Sequence, residues 1–230
     1  MNVIPSSSAA PWPDFPFMEK VDFADGDNVA APPAGMAWTN SGALDSGNAA
    51  SGTLSLDHDA SNTNISTGPR LTATMSAVPG RGRCVAGFFS AADLDGGNEA
   101  IGVVLETAAG TNTTALVIRH DGANYQVQWL TDGGNINTAN IAAGDVTGGV
   151  WLMLCERPQA GVGLTTSAHY MLGGTAAVLP KWKQWSSVHT ALNTDGGNAL
   201  DDQKLGVVIK TANTANTLTG DVEALWIGSE

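Results

Sequence analysis

The residues best suited to chemistry are the acidic and amide side chains of five Asp-Gly-x-Asn stretches. Three read Asp-Gly-Gly-Asn, at 95–98, 132–135 and 195–198, and looser copies occupy 25–28 and 121–124. Carboxylate and amide oxygens are ligands that Ca²⁺ prefers. However, no copy continues into the Asp-x-Asp/Asn-x-Asp/Asn-Gly pattern, closed by a glutamate at position twelve, that an EF-hand requires. We therefore expect most copies to be turns, because Asp-Gly favours the positive φ of a hairpin.

One copy concentrates more ligands than the others. Asp25, Gly26, Asp27 and Asn28 place two carboxylates and an amide in four residues. In a jelly roll the first and last strands often pair, which would bring Asp221 near this turn. The sequence thus offers Asp25, Asp27 and Asp221 as a calcium site, with a solvated turn as the alternative, and predicts no other cofactor.

Catalytic patterns are absent from the sequence. A retaining glycosidase needs two carboxylates about 5–5.5 Å apart, which residues i and i+2 on one face of a strand can supply. Among the glutamates, Glu223 alone has an acidic residue two positions away, and that residue is Asp221. We expect that pair to have ladder and surface roles in the last strand. The cysteines lack a nearby histidine, and there is no G-x-S-x-G, P-loop or H-E-x-x-H motif. The sequence therefore predicts a protein that is not an enzyme, with no catalytic residue.

A dense aromatic and basic cluster lies in the stretch KWKQW. Trp182 and Trp185 alternate there with Lys181 and Lys183, in a long segment between strands. Exposed aromatic rings stack on sugar faces, so this cluster is a candidate glycan-binding surface. The alternative is that both tryptophans cap the open end of a sandwich.

The N-terminal stretch 1–17 differs from the rest of the chain. It interleaves Trp12, Phe15 and Phe17 with four prolines, which continue neither a helix nor a sheet ladder. Disordered tails are usually poor in aromatics. We therefore expect an extended arm that docks through its three aromatics on its own domain or on another protein subunit, with a disordered tail as the alternative. The stretch has no basic segment followed by an apolar run, so no secretory signal is expected.

Composition limits the partners. The formal net charge of −12 disfavours nucleic acid and anionic membrane surfaces, and no apolar stretch reaches the roughly 18 residues of a membrane span. Cys84 and Cys155 are too few for a disulfide framework. Both lie in apolar runs, which favours two buried thiols over a bridge, although neighbouring strands would allow one.

Short apolar runs with period-2 alternation recur about every ten residues. In RLTATMSAV, for example, Leu71, Ala73 and Met75 alternate with threonines, which is typical of a half-buried strand. About eleven such segments separated by turn residues predict an all-β sandwich or jelly roll. The predicted strands are 20–25, 52–58, 70–78, 84–91, 100–107, 114–120, 124–130, 149–157, 167–174, 205–212 and 221–228. We expect 181–192 to be a loop with one turn of helix.

The order of these segments resembles the laminin-G-like branch of the concanavalin A-like lectin/glucanase superfamily. The resemblance covers 19–228 and rests on a series of short motifs: VDFADGDN, then Trp38 and Gly42, then GTLSLD, CVAGFFSA, AIGVVLET, LVIRHDG, WLMLCER, YMLGG, LGVVIK and a final V-x-x-L-W-I. It implies two curved antiparallel sheets packed face to face. Such domains usually bind glycans or proteins.

Two functions are compatible with these features. The first is a structural component of a phage particle, decorating the capsid or attached to the tail, with the arm 1–17 anchoring a lectin-like domain 18–230. In that case the chain is lattice-bound or homo-oligomeric and is located on the virion surface or outside the cell. The second is a carbohydrate-binding module or adhesin, assisted by calcium.

Overall fold

The computed structural model describes residues 18–40, 44, 46–58, 64–76, 81–90, 94, 99–109, 112–131, 134–159, 163–193, 202–210 and 218–229. This part of the chain forms fifteen β-strands and two single 3-10 turns, at Ala143–Asp145 and Trp182–Gln184. The strands are β1 Met18–Lys20, β2 Met36–Thr39, β3 Ser46–Ala50, β4 Thr53–His58, β5 Arg70–Met75, β6 Arg83–Ser90, β7 Glu99–Thr107, β8 Thr113–His120, β9 Tyr125–Thr131, β10 Gly134–Ile141, β11 Val150–Gln159, β12 Gly163–Leu172, β13 Ser186–Asn193, β14 Gln203–Lys210 and β15 Leu218–Ser229.

The strands form two antiparallel sheets. Sheet I has the order β13-β12-β11-β6-β15-β4-β3, with β1 also paired to β15. Sheet II has the order β10-β9-β8-β7-β14-β5-β2. The predicted all-β, two-sheet antiparallel sandwich is confirmed.

The main core lies between the sheets because alternate residues of the central strands are apolar. Leu152 and Phe89 of sheet I and Leu116 and Trp129 of sheet II belong to this one buried cluster. The indole of Trp129 donates a hydrogen bond to Thr114 Oγ1 at 2.8 Å, so its polar atom is satisfied inside the core. Burying each such side chain contributes about 1.5–3 kcal/mol.

The first and last strands pair, as expected for a jelly roll. Met18 lies opposite Gly228, and Val21 N donates to Leu225 O at 2.8 Å. The predicted strand at 20–25 is wrong, since β1 ends at Lys20. The chain turns just beyond, where the Asp27 carboxylate accepts a hydrogen bond from Ala24 N at 2.8 Å.

Besides β1, which the predicted segment 20–25 overlaps only at Lys20, four strands have no counterpart among the predicted segments: β2, β3, β10 and β13. The largest error concerns 181–192, where one 3-10 turn is present as expected but β13 occupies most of the predicted loop. Leu192 pairs with Thr165 of β12 there. The partner strand satisfies the backbone of β13, so this strand needs no alternating apolar pattern of its own.

Cys84 and Cys155 lie directly opposite each other on β6 and β11 and form a disulfide. Their Cα atoms are 4.2 Å apart. The sequence-based preference for two thiols is therefore wrong. Residues 71 positions apart in the chain become neighbours only through strand pairing.

None of the helical turns in the described residues is long and apolar enough to cross a membrane.

Candidate functional site

Two of the five Asp-Gly-x-Asn stretches lie fully within the described residues, and both are turns. Asp121 Oδ1 accepts hydrogen bonds from Asn124 N at 2.7 Å and Ala123 N at 3.0 Å. These two bonds, the first being stronger, hold the pKa of Asp121 below its ordinary value. Gly122 has a φ of 94°, as such a corner requires. Of the three Asp-Gly-Gly-Asn copies, only Gly134 and Asn135 belong to the described residues.

The 25–28 copy is stabilised by its own carboxylates. Asp25 Oδ1 accepts a hydrogen bond from Ser51 N at 2.6 Å, and Asp27 closes its turn through Ala24 N. The structure does not bring Asp221 to this turn. Asn28 bridges to Asn48 on β3, and β4 lies between β3 and β15, so three interstrand spacings, about 14 Å, separate Asn28 from Asp221.

The carboxylate of Asp221 has a different partner. Ser55 Oγ donates to Asp221 Oδ1 at 2.5 Å. No group of three or more His, Cys, Asp or Glu side chains in the described residues is arranged to hold a metal ion. Calcium binding through Asp25 and Asp27 stays a prediction.

The KWKQW segment packs on the outer face of sheet I. Trp185 lies edge-on to Trp151, with ring centroids 6.1 Å apart, and its indole donates to Pro180 O at 3.1 Å. Leu179 and Trp185 cover an apolar area that we call the covered patch: Cys84, Ala86, Phe88, Trp151, Met153, Cys155 and Ala224. Trp185 therefore closes one face of the sandwich. The side chain of Trp182 lies outside the described residues, and a glycan-binding role for either tryptophan stays a prediction.

The docking arm with Trp12, Phe15 and Phe17 lies outside the described residues. Its contacts therefore stay a prediction.

The outer face of sheet II carries small residues on its central strands, and these residues are buried. Ala100, Gly102 and Val104 of β7 alternate with the inward core residues of that strand. A Cβ on Gly102 would overlap the carbonyl oxygen of Leu116, and one on Gly206 would overlap that of Leu71. Both glycines are required for close approach of adjacent strands. Part of this face is a second apolar cluster, packed under Ile65.

An amide row crosses the other part of this face. We define it as Gln126, Gln128 and Asn140, from β9 and β10. Gln128 Nε2 donates to Gln126 Oε1 at 3.0 Å, and Gln126 Nε2 donates to Asn140 Oδ1 at 3.2 Å. Gln128 is buried, Gln126 half-buried and Asn140 exposed. The two bonds orient three planar amides in series, and the Asn140 amide nitrogen remains a donor for a ligand.

Cationic side chains flank the amide row. Arg119 of β8 lies directly opposite Gln126, and Lys210 of β14 lies on the far side of Ala100 in the same cross-strand line. Both side chains are half-buried. The pKa of Lys210 is lowered, first by burial and second by the charge of Arg119. We call Arg119 and Lys210 the cationic pair.

Two further cations on this face are neutralised by a buried carboxylate. Arg70 Nε lies 2.7 Å from Glu106 Oε2, and Lys204 Nζ lies 3.7 Å from Glu106 Oε1. Arg70 also donates to the carbonyl oxygens of Ile65 and Gly68 at 2.9 and 3.1 Å. This ionic cluster pins the 64–69 segment against the sheet.

Groups able to transfer protons lie at one end of the sandwich. Glu99 of β7 is opposite His120 of β8, and His120 is opposite Tyr125 of β9. The two rings are 4.7 Å apart, and the Tyr125 hydroxyl donates to Leu94 O at 2.9 Å. This cross-strand line contains an acid, an imidazole and a phenol.

Sequence reasoning missed both the amide row and the cationic pair. A signal for the amides was present in YQVQWL, where Gln126 and Gln128 alternate with the core residues Val127 and Trp129. Polar residues at every second position of a strand mark its outward face. Nothing in the sequence links Lys210 to Arg119, because β7 lies between their strands.

Comparisons with known proteins identify the fold and no family. No protein-family model and no curated protein sequence matches the chain. Among solved structures, lectin II from Ulex europaeus is 12% identical with a TM-score of 0.58, over 94% of this chain and 99% of that chain. An alginate lyase, Aly36B, seen as a mutant with an alginate trisaccharide, is 10% identical with a TM-score of 0.56 over the same shares.

Glycoside hydrolases are also among the similar structures. An engineered GH43 enzyme with endo-xylanase and exo-arabinofuranosidase activity is 12% identical with a TM-score of 0.62, over 91% of this chain and 40% of that chain. The chain spans only 24–40% of the length of the GH43 proteins it matches. These likenesses show a concanavalin A-like sandwich, which is the fold that the resemblance implied.

The prediction that the protein is not an enzyme needs correction. The lyase and the hydrolases share this fold with the lectin, so the conclusion drawn from missing motifs is contradicted. Motifs of other folds have no bearing on a sandwich whose polar groups are assembled across strands.

Proposed function

We propose that this protein is a carbohydrate-binding domain whose ligand lies on the outer face of sheet II, on its β9–β10 side. The observation that carries the proposal is the amide row. Gln126, Gln128 and Asn140 are held in series by two hydrogen bonds on a partly exposed face. The buried Gln128 orients the amide of Gln126, and the accessible amides of Gln126 and Asn140 carry donors and acceptors that match the hydroxyl groups of a sugar.

The surrounding surface supports the same use. Thr138 lies opposite Gln128 and adds a hydroxyl beside the row. Gln126, Thr138 and Asn140 are half-buried or exposed, so a sugar can lie against the β9–β10 side of this face. The lectin and the lyase described above share this sandwich. No aromatic side chain points outward from the described part of β7, β8 or β9, so hydrogen bonds and charge supply the affinity.

A polysaccharide panel, run by affinity electrophoresis, tests the proposal. The wild-type chain is compared with Gln126→Ala/Asn140→Ala and with Asn48→Ala, an exposed amide on sheet I that serves as the matched control. We expect binding to at least one polysaccharide, weakened about tenfold or more in the double variant and unchanged in the control, since each lost hydrogen bond contributes about 1 kcal/mol.

The other outcomes identify the failing step. Retention of binding in the double variant with loss in Trp185→Ala would transfer the site to the KWKQW segment. Repeating the panel with calcium and with EDTA tests the predicted role of Asp25 and Asp27, because a calcium-assisted site loses binding in EDTA. A folded wild-type chain that binds no polysaccharide would reject the proposal.

The more specific prediction, a phage-particle component anchored by its arm, belongs to the same proposal. Its argument is the run of Trp12, Phe15 and Phe17 among prolines. A chain lacking 1–17 should keep its fold and its polysaccharide binding but lose incorporation into particles. Unchanged incorporation would remove this part of the proposal and leave the glycan site untouched. The predicted location of this protein, on the virion surface or outside the cell, depends on the result of the same deletion experiment.

A further inference from the structure

The outer face of sheet I keeps an apolar surface on top of its covered patch. The side chains that pack on that patch are themselves half-buried, so each leaves part of its surface to solvent. We call them the apolar rim: Met18, Met171, Ala176, Leu179, Trp185 and Trp226. Val178, next to Leu179, is 71% exposed and is the one large apolar side chain so exposed in the described residues. Apolar surface gathered in one place marks an interaction site.

The rim also contains an indole donor that lacks an acceptor. Trp226 Nε1 is buried and has no hydrogen-bond partner in the described part of the chain. Trp185 differs, because its Nε1 donates to Pro180 O at 3.1 Å. A buried indole N–H normally has an acceptor, and leaving it without one is unfavourable. The occupant that suits this surface therefore combines apolar side chains with carbonyl acceptors.

The N-terminal arm 1–17 enters the sandwich at this surface. Its last residue is joined to Met18, which belongs to the rim and lies opposite Gly228 at the end of β15. An extended proline-rich chain advances about 3.1 Å per residue, so the path from Met18 back to Trp12 is about 19 Å. The rim extends along β15 from Gly228 to Ala224, which is about 13 Å. A chain that reverses before Met18 is therefore long enough to span the rim.

The composition of the arm complements that of the rim. Trp12 and Phe15 supply apolar rings, and Pro11, Pro13 and Pro16 stand around them. Proline has a carbonyl oxygen but no backbone N–H, so such a segment offers acceptors and few donors that need partners of their own. Polyproline II segments make no internal hydrogen bonds and bind aromatic-lined surfaces at little cost in conformational entropy.

We propose that the arm lies back over the apolar rim of its own chain, with Trp12 and Phe15 against the rings of Trp185 and Trp226. The covalent link at Met18 favours the rim of the same chain over that of a second copy, because a short tether gives the arm a local concentration on the order of millimolar. This inference does not depend on the glycan site of sheet II. An arm docked in this way reaches a particle only after leaving the rim.

Hydroxyl-radical footprinting of the full chain, read by mass spectrometry, tests the inference. We expect Trp12 and Phe15 to be oxidised at least about fivefold more slowly in the chain than in a free peptide of residues 1–17, since a tethered site is occupied most of the time. The rim variant Trp226→Leu/Val178→Ser should lose this protection. The matched control, Gln126→Ala/Asn140→Ala on sheet II, should keep it.

An arm variant, Trp12→Ser/Phe15→Ser, guards against a folding artefact because it leaves the sandwich unchanged. In it, Trp185 and Trp226 should be oxidised faster than in the wild type. Unchanged oxidation of these two rings would overturn the inference, even where the rim variant fails to fold.

Three further outcomes would overturn the inference. The first is equal oxidation of Trp12 in the chain and in the free peptide, and the second is undiminished protection in a folded rim variant. The third is protection that increases between about 1 and about 100 µM protein, which would assign the arm to the rim of a second copy. Polysaccharide binding of the same samples is measured separately, so either proposal can fail while the other stands.

Discussion

The two outer faces of the sandwich are built in opposite ways. On sheet I the chain covers its own apolar residues with Leu179 and Trp185 and joins β6 to β11 through the Cys84–Cys155 disulfide. On sheet II the small central residues are buried in a cluster with Ile65, and the amides of Gln126 and Asn140 lie on the partly exposed β9–β10 side. The covered patch contributes to stability, and the amide side of sheet II is the surface to which we assign recognition.

An acidic pair adds a second difference between the sheets. Asp221 and Glu223 lie on β15 of sheet I, with Ser55 as the hydrogen-bond partner of Asp221. The pKa of Glu223 is raised, first by burial and second by the charge of Asp221. This acidic pair lies on sheet I, whereas Arg119 and Lys210 lie on sheet II, so charge differs between the two sheets.

Breaking the disulfide should have the largest effect, and it should affect stability alone. The Cys84→Ala/Cys155→Ala variant, or the reduced protein, should lose about 4 kcal/mol of the free energy of unfolding, because the bridge closes a loop of 71 residues. Urea unfolding with and without reductant measures this loss. The variant should no longer respond to reductant, and polysaccharide binding of the folded protein should be unchanged. A parallel loss of binding would show that the two faces are coupled.

Protonation of His169 should produce the next largest effect. This residue is 5% exposed on β12, opposite Met153, and burial lowers its pKa to about 4. Between its ordinary pKa of 6.5 and about 4, the unfolded chain takes up a proton that the folded chain does not. The free energy of unfolding should therefore fall as pH drops through this window, by about 3 kcal/mol in total.

The His169→Gln variant isolates this contribution from that of the carboxyl groups. Its free energy of unfolding should fall less between pH 7 and pH 4 than that of the wild type, measured by urea unfolding across the range. Curves of equal slope would show that His169 accepts its proton inside the folded sheet.

Removing one charge from the acidic pair Asp221 and Glu223 should have the smallest effect. Asp221→Asn keeps an acceptor for Ser55 Oγ, so stability should change by less than about 0.5 kcal/mol. The pKa of Glu223 should fall, yet stay above its ordinary value, since burial is the larger cause of its shift. An NMR titration of the Glu223 carboxyl follows this change. An unchanged pKa of Glu223 in this variant would mean that the charge of Asp221 does not raise it, which would contradict the coupling of the two carboxyl groups.

Much of the sandwich could be predicted from the sequence because local patterns determine strands and turns. Leu71, Ala73 and Met75 alternate with threonines, and β5 forms where they do. Asp121 and Gly122 form the expected hairpin turn through the Asp121 carboxylate and a positive φ. Both features depend on residues within a few positions of each other, so no tertiary information is needed.

Strands that form because a partner strand lies beside them were harder to predict from the sequence. β13 has no alternating apolar pattern, and it forms because β12 satisfies its backbone. The sequence of the KWKQW stretch predicts an exposed aromatic cluster, but in the structure Trp185 packs against Trp151. Burial of a ring depends on what lies opposite it, and the sequence does not contain that information directly.

The sequence by itself determined an all-β sandwich with Asp-Gly corners, because alternation and turn chemistry act locally. Only the tertiary structure decided that Cys84 meets Cys155, that Asp221 stays apart from the 25–28 turn, and that Lys210 joins Arg119 beside the amide row. Strand order decides each of these juxtapositions, since it places residues from distant parts of the chain within one or two interstrand spacings.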